Sequence, residues 1–182
     1  MKTLSDRKLI TLVQATGDGE AFSELAKRHG PALLAFLRAL GGDEFLAEEA
    51  AQESLILAYT KLAQFRSASS FRTWLFRIAY REHARLAQKD TRRSVRRQSY
   101  REQAAAPPQR DSDLSLDMEK ALAKLSDGER SAIILCDAYG LSHAQAAEIM
   151  RAPLGSVKTY VRRARRKMQD LLAHEEKGTE DG

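Results

Sequence analysis

The chain has 182 residues, of which 30 are basic and 25 acidic, for a formal net charge of +5 and an isoelectric point near 9.4. This length allows one medium domain or two small ones, and a hydrophobic fraction of 43% excludes a wholly disordered chain. The basic balance permits a polyanionic partner. The single cysteine, Cys136, excludes an internal disulfide and suits a reducing compartment; in the apolar run Ala132-Ile133-Ile134-Leu135 it reads as a small core residue. The opening residues Met1-Lys2-Thr3-Leu4 have no signal-peptide core, and no apolar run approaches a membrane span, so a cytoplasmic protein is expected.

In chain order the pattern is helical. Apolar residues recur at three- and four-residue spacing, and strand-like alternation is missing. A first helix starts near Ser5-Asp6 and carries Leu9, Ile10, Leu12 and Val13 up to a turn at Thr16-Gly17-Asp18-Gly19. A second runs from Phe22 to Leu40, where Pro31 is expected to kink or restart it. Gly41-Gly42 closes it, and Asp43 suits the cap of a third helix that carries Leu46, Ala50, Leu57, Ala58, Leu62 and Phe65. After the polar loop Arg66-Ser67-Ala68-Ser69-Ser70, a fourth helix places Leu75, Ile78 and Leu86 inward. Arg77, Tyr80, Arg81 and Gln88 face out, with Trp74 at the border and Phe71 in the core.

From about Lys89 to Leu114 apolar residues almost vanish and Pro107-Pro108 appears, the composition of a linker. Helical spacing returns with Leu114, Ala121, Leu122 and Leu125. Ser126 with Glu129 and Ser142 with Gln145 form capping boxes, and Gly140 suits a helix stop. The expected fold class is all-α. Two small helical domains, 1–90 and 115–173, are joined by a flexible linker, 91–114, and followed by a disordered tail, 174–182.

The C-terminal half carries a helix-turn-helix pattern. A capped helix from Ser142 to about Met150 is followed by the turn Arg151-Ala152-Pro153-Leu154-Gly155 and a second helix near Ser156, which is expected to be its cap. On that second helix Val157, Val161, Ala164 and Met168 share one face. Thr159, Arg162, Arg163 and Arg166 lie opposite, with Lys158 at the edge. No acidic residue occurs between Arg151 and Lys167, and a single-signed cationic face of this kind can reach guanine edges and phosphates.

The N-terminal half is divided by charge. The fourth helix interleaves Arg72, Arg77, Arg81 and Arg85 with Trp74 and Tyr80, a combination suited to single-stranded or melting DNA. The third carries a stripe of Glu48, Gln52, Leu55, Ile56 and Tyr59, an acidic and apolar mixture suited to docking a protein. On these residues alone a helix-turn-helix repressor or activator accounts for residues 115–172 but leaves the N-terminal half without a role. A metal-dependent nuclease using Asp43 to Glu53 would need a base or nucleophile beside those acids, and its carboxylates are spread around a helix. His29, His83 and His143 lack a cysteine or carboxylate at ligand spacing, so no metal, cofactor or catalytic set is expected.

Together these features resemble the extracytoplasmic-function (ECF) sigma factors of the sigma-70 family, group IV. The resemblance rests on Ala47-Glu48-Glu49-Ala50-Ala51-Gln52-Glu53, on the run from Phe65 to Ala79 with its Phe71-Arg72-Thr73-Trp74-Leu75 core, on Ala121-Leu122 with Leu125, and on Ala164-Arg165-Arg166-Lys167-Met168. It spans about residues 5–172. It implies a bacterial transcription initiation factor, not an enzyme, whose partners are core RNA polymerase (the β′ clamp and the β flap), promoter DNA and an anti-sigma factor. Membrane contact would come only through that anti-sigma factor.

The resemblance further implies −35 DNA binding by Ser156, Lys158, Thr159, Arg162, Arg163 and Arg166. It implies −10 recognition and melting by Arg66, Ser67, Ser69, Ser70, Arg72, Trp74, Arg77, Tyr80, Arg81 and Arg85, with the loop from Arg66 to Ser70 holding a flipped-out base. Polymerase docking would fall to Glu48, Glu49, Gln52, Glu53, Leu55 and Ile56. Three positions depart from the family pattern: Arg81 stands where Asn is usual, Arg85 where Asp is usual, and Gln145 where Glu is usual.

Overall fold

The computed structural model describes residues 3–41, 44–66, 69–98, 118 and 120–178. Among the described residues there is no strand, and the chain divides into two compact units. The N-terminal unit is built from α1 (Asp6–Thr16), α2 (Gly19–Leu40), α3 (Glu44–Lys61), a 3-10 turn (Leu62–Gln64) and α4 (Phe71–Gln98). The C-terminal unit has a helical stretch at 120–123, then α5 (Asp127–Ile133), a π-helical turn (Ile134–Ala138), α6 (His143–Met150) and α7 (Leu154–Gly178). The caps expected at Asp43, the apolar position Leu114 and the proline pair lie outside the described residues.

Local chemistry sets the helix ends. Ser5 caps α1, and Gly17 closes it in the left-handed region at φ 70°, its N–H donating to the Val13 carbonyl. Asp18 Oδ1 accepts from the N–H groups of Glu20 at 2.8 Å and Ala21 at 3.1 Å, which starts α2. Ser70 Oγ accepts from the Thr73 N–H at 3.1 Å and starts α4.

Three expectations about helix continuity change. Pro31 does not restart the helix, because α2 runs through it. The ring sits on the exposed side, where the carbonyl it deprives of a donor can meet water, while Leu25, Leu33, Phe36 and Leu37 are fully buried on both sides and hold the helix together. At the other end of the unit, α4 continues past Lys89 to Gln98. No proline or glycine occurs between Lys89 and Pro107, so no helix breaker stops the helix where the apolar residues run out. In the same way α7 extends to Gly178, beyond the domain end expected at 173.

The core of the N-terminal unit is centred on two rings. Phe36 of α2 and Phe76 of α4 are fully buried and stacked, with centroids 4.5 Å apart and planes 3° from parallel. Against α4, α3 lays the small residues Ala47, Ala50, Ser54 and Ala58, all buried. Ser54 disposes of its hydroxyl on the Ala50 carbonyl. Small side chains on this face allow a close helix approach. The inward face of α4 differs from the expected one. Leu75 and Leu86 are buried, Ile78 is only half-buried, and Phe76 and Thr73 are completely enclosed. Because α3, Phe36 and Phe65 all meet this helix, its buried arc is wider than a single stripe.

α1 is fastened by polar groups. Arg28 donates to Asp6 at 3.0 Å and to the Leu4 carbonyl at 2.7 Å. His29, which lacks a ligand-spaced partner in sequence, is 2.7 Å from the other Asp6 oxygen. Gln14 Nε2 donates to the carbonyls of Leu62 and Phe65 at 2.9 and 3.1 Å, and the Tyr59 hydroxyl donates to the Gly17 carbonyl at 2.9 Å. These bonds hold the turn that leads into the loop before α4.

Trp74 is the only tryptophan, so its fluorescence reports on the N-terminal unit alone. Phe76→Ala removes one ring of the central stack and should cost about 3–5 kcal/mol. The expected result is a large fall in the urea midpoint followed by Trp74 emission.

Candidate nucleic-acid interface

Both capping boxes form in the C-terminal unit. Glu129 Oε2 accepts from the Ser126 N–H at 3.0 Å while Ser126 Oγ accepts from the Glu129 N–H at 3.4 Å. Gln145 and Ser142 repeat the arrangement at 2.9 and 3.2 Å. Arg130 ties down the chain before α5, donating to the carbonyls of Leu122 at 2.8 Å and Leu125 at 3.2 Å.

The turn of the helix-turn-helix is shorter than expected. α6 ends at Met150, Arg151 follows in the left-handed region, and α7 is under way at Leu154. The Pro153 carbonyl accepts from the N–H groups of Ser156 at 2.9 Å and Val157 at 3.2 Å. Ser156 therefore lies inside the first turn of α7 and is not its cap. The fixed φ of Pro153 already suits a helix start, so the helix begins before the serine.

α7 buries Val157, Val161 and Ala164. Its Tyr160 ring lies so near Gly128 of α5 that a Cβ there would stand 3.1 Å from it. Lys158, Arg162, Arg163 and Arg166 are exposed, while Ser156 and Thr159 are half-buried, the Thr159 hydroxyl donating to the Gly155 carbonyl at 3.0 Å. Two neighbouring cations behave differently. Arg165 donates twice to Asp137, at 2.9 and 2.7 Å, and Lys167 donates to Glu129 at 2.6 Å. Among the described residues Lys158, Arg162, Arg163 and Arg166 make no ion pair, so the unit binds two of the cations of α7 internally and leaves four facing outward.

In the N-terminal unit Arg66, Ser70, Arg72, Arg81 and Arg85 are exposed, and Ser69 and Trp74 are half-buried. Arg77 and Tyr80, expected to face out, are half-buried too, in keeping with the wide buried arc of α4. Ser67 lies outside the described residues. Trp74 packs on Phe65 and Phe71, with centroids 5.3 and 5.8 Å away, while Phe71 is buried. Arg85 is 2.7 Å from Glu82. That hydrogen bond raises the guanidinium pKa, helped by the field of Glu53 and Glu49 across on α3. On α3, Glu48, Gln52 and Ile56 are exposed, and Glu49, Glu53 and Leu55 are half-buried.

Residues 25–93 match Sigma-70 region 2, and residues 115–168 match Sigma-70, region 4. The chain is 32% identical to the RNA polymerase sigma factor NccH of Alcaligenes xylosoxydans xylosoxydans, over 87% of this chain and 90% of the relative. The chain belongs to the ECF sigma factors of the sigma-70 family. It is also 34% identical to the ECF RNA polymerase sigma factor EcfG of Rhodopseudomonas palustris (strain TIE-1), over 78% of this chain and 80% of that one. Among solved structures it resembles the sigma factor RpoE from Bartonella quintana, crystallised in complex with the anti-sigma factor NepR. The TM-score is 0.71 at 34% identity, covering 84% of this chain and 96% of that chain.

As an ECF sigma factor, the chain directs core RNA polymerase to specific promoters and initiates transcription. Promoter DNA and core polymerase are its partners. One exposed feature of this sigma factor escaped the residue pattern. Phe45 is 72% exposed and falls on the same side of α3 as Gln52 and Ile56, seven and eleven positions on. That spacing was the available signal. Among the described residues no helix is long and apolar enough to cross a membrane.

Glu129 joins two jobs in the sigma factor, capping α5 and holding α7. The Lys167 hydrogen bond draws its carboxyl below the ordinary glutamate range, burial pushes it back up, and the Ser126 N–H and hydroxyl add to the lowering. A carboxylate depressed in the folded state stabilises above its unfolded pKa and loses that contribution as pH falls through the folded value. Stability of the C-terminal unit should therefore fall on acidification below about pH 4. Glu129→Gln should lower stability at pH 7 by about 1–2 kcal/mol and flatten the acid dependence. Amide hydrogen exchange in α5 between pH 7 and pH 3 measures both.

Proposed function

We propose that the two units of this sigma factor divide the promoter between them. The C-terminal unit binds the −35 element through the outer face of α7, with Lys158, Arg162, Arg163 and Arg166 as its cations and Ser156 and Thr159 beside them. The observation that carries this reading is the sorting of charge on α7: Arg165 and Lys167 are bound to carboxylates of their own unit, and the others project to solvent. A helix entering the major groove needs cations that are not already neutralised.

The N-terminal unit reads and melts the −10 element through the loop from Arg66 to Ser70 with Arg72, Trp74, Arg77, Tyr80, Arg81 and Arg85. The partly exposed indole, supported from behind by Phe65 and Phe71, offers a face on which an unstacked base can lie. Glu48, Glu49, Gln52, Glu53, Leu55 and Ile56 dock on the polymerase β′ clamp, and the C-terminal unit also meets the β flap. The two domains, 1–90 and 115–173, are joined by a linker, with α4 and α7 running on past these bounds to Gln98 and Gly178. The protein works in the bacterial cytoplasm and contributes binding, while bond-making belongs to the polymerase. An anti-sigma factor holds it inactive, a reading supported by the similar sigma factor solved in complex with one.

Two measurements test the assignment. Arg162→Ala should cost about 1–3 kcal/mol of promoter affinity if Arg162 reads a base, with preference relaxed at one position; unchanged binding and unchanged run-off transcription would show α7 to be an ordinary solvated face. Reversing Glu53 to Lys, or the more exposed Glu48 to Lys, should weaken co-elution with core polymerase while the circular dichroism stays helical. Equal polymerase affinity of both variants and parent would remove the docking surface from α3.

A further inference from the structure

Arg151 is the one non-glycine residue with positive φ among the described residues, at φ 53° and ψ 39°. An L-residue in this region crowds its Cβ against the following carbonyl, so a helix ending in this way normally carries Gly or Asn there. The chain follows that habit elsewhere, with Gly17 at φ 70° and Gly140 at φ 65°. Nothing among the described residues explains the exception. The Arg151 side chain is exposed and makes no ion pair or hydrogen bond with the described residues; only its backbone N–H is used, donating to the Ala147 carbonyl. A bulky side chain kept where the backbone favours glycine points to a partner outside the chain.

Position and charge identify that partner. Arg151 joins α6 to α7, and no acidic residue follows it before Lys167. In a docked helix-turn-helix the first helix crosses the DNA backbone while the second enters the groove, so the residue between them meets the phosphates at the groove edge. We propose that Arg151 is a further DNA-contacting residue, binding a phosphate of the promoter duplex beside the −35 element at the expense of a relaxed turn. The inference rests on the reading of α7 as the DNA-facing helix. The competing role, a cation placed against the C-terminal dipole of α6, would serve stability alone.

The two roles separate in one set of variants of the full chain, assembled with core polymerase. The probe is a duplex promoter fragment that supports run-off transcription by the parent holoenzyme. Arg151→Gly should raise the melting temperature of the free protein by about 4–8 °C as the turn relaxes. It should also reduce the steepness of log affinity against log salt by about 0.9 and weaken binding about eightfold at about 0.1 M salt, the counterion-release value for one phosphate. Arg151→Asn, which also suits the left-handed region, should show the same loss in DNA binding, and Arg151→Lys should retain the parent slope. Unchanged salt slopes in the Gly and Asn variants overturn the proposal, and a fall in melting temperature without a change in slope would assign Arg151 to helix capping. Arg162→Ala serves as the reference. If it changes DNA binding while the Arg151 variants do not, this inference alone fails; if neither position affects affinity or slope, the assignment of α7 fails with it.

Discussion

The rotation of α7 about its own axis is the constraint on which the DNA-binding half depends. Burial of Val157, Val161 and Ala164 supplies most of the energy that docks the helix, on the order of 1.5–3 kcal/mol for a fully buried valine. The Arg165–Asp137 bridge is half-exposed and adds little to stability, since pairs of this kind are worth about 0–1 kcal/mol. Its value is directional. Asp137 and Glu129 stand behind the helix and draw two of its cations toward themselves, and helical geometry then turns the remaining ones away. The apolar stripe makes the helix stay, and the two carboxylates decide what it shows.

The N-terminal unit holds an acidic helix beside a basic one. The buried face of α3 is made of Ala47, Ala50, Ser54 and Ala58, so that face carries no charge. Carboxylates and guanidiniums are left to the flanks, where Arg85 feels Glu53 and Glu49 at a distance and bonds directly to Glu82. The acidic face and the basic face thus belong to one rigid pair of helices.

Much of the fold was legible in the sequence because the signals are local. Ser126 with Glu129, Ser142 with Gln145, and the glycines at 17 and 140 are read within one helical turn, and all behave as their spacing implies. The wheel of α7 was legible because a single side of that helix is covered. The wheel of α4 was less so, because α3, Phe36 and Phe65 cover it from several directions and draw Phe76 and Thr73 inside. The cap at Ser156 failed since Pro153 starts the helix by its fixed φ and needs no side-chain acceptor. Pro31 did not restart the helix because buried leucines on both sides, with Phe36, outweigh one lost hydrogen bond. Which cations of α7 were already paired could not be read at all, the acceptors being 28 and 38 residues away.

The π-helical turn after α5 bears on how freely the C-terminal unit can change in length. The Tyr139 N–H reaches back five residues to the Ile134 carbonyl at 3.1 Å, so this turn accommodates one residue more than an α-helix would. Each added residue advances a helix by roughly 100°, and here that advance helps bring Asp137 round to Arg165. The site thereby couples spelling to orientation. Removing Cys136 would let the helix run on regularly, yet it would swing the Asp137 carboxylate away from the arginine it holds.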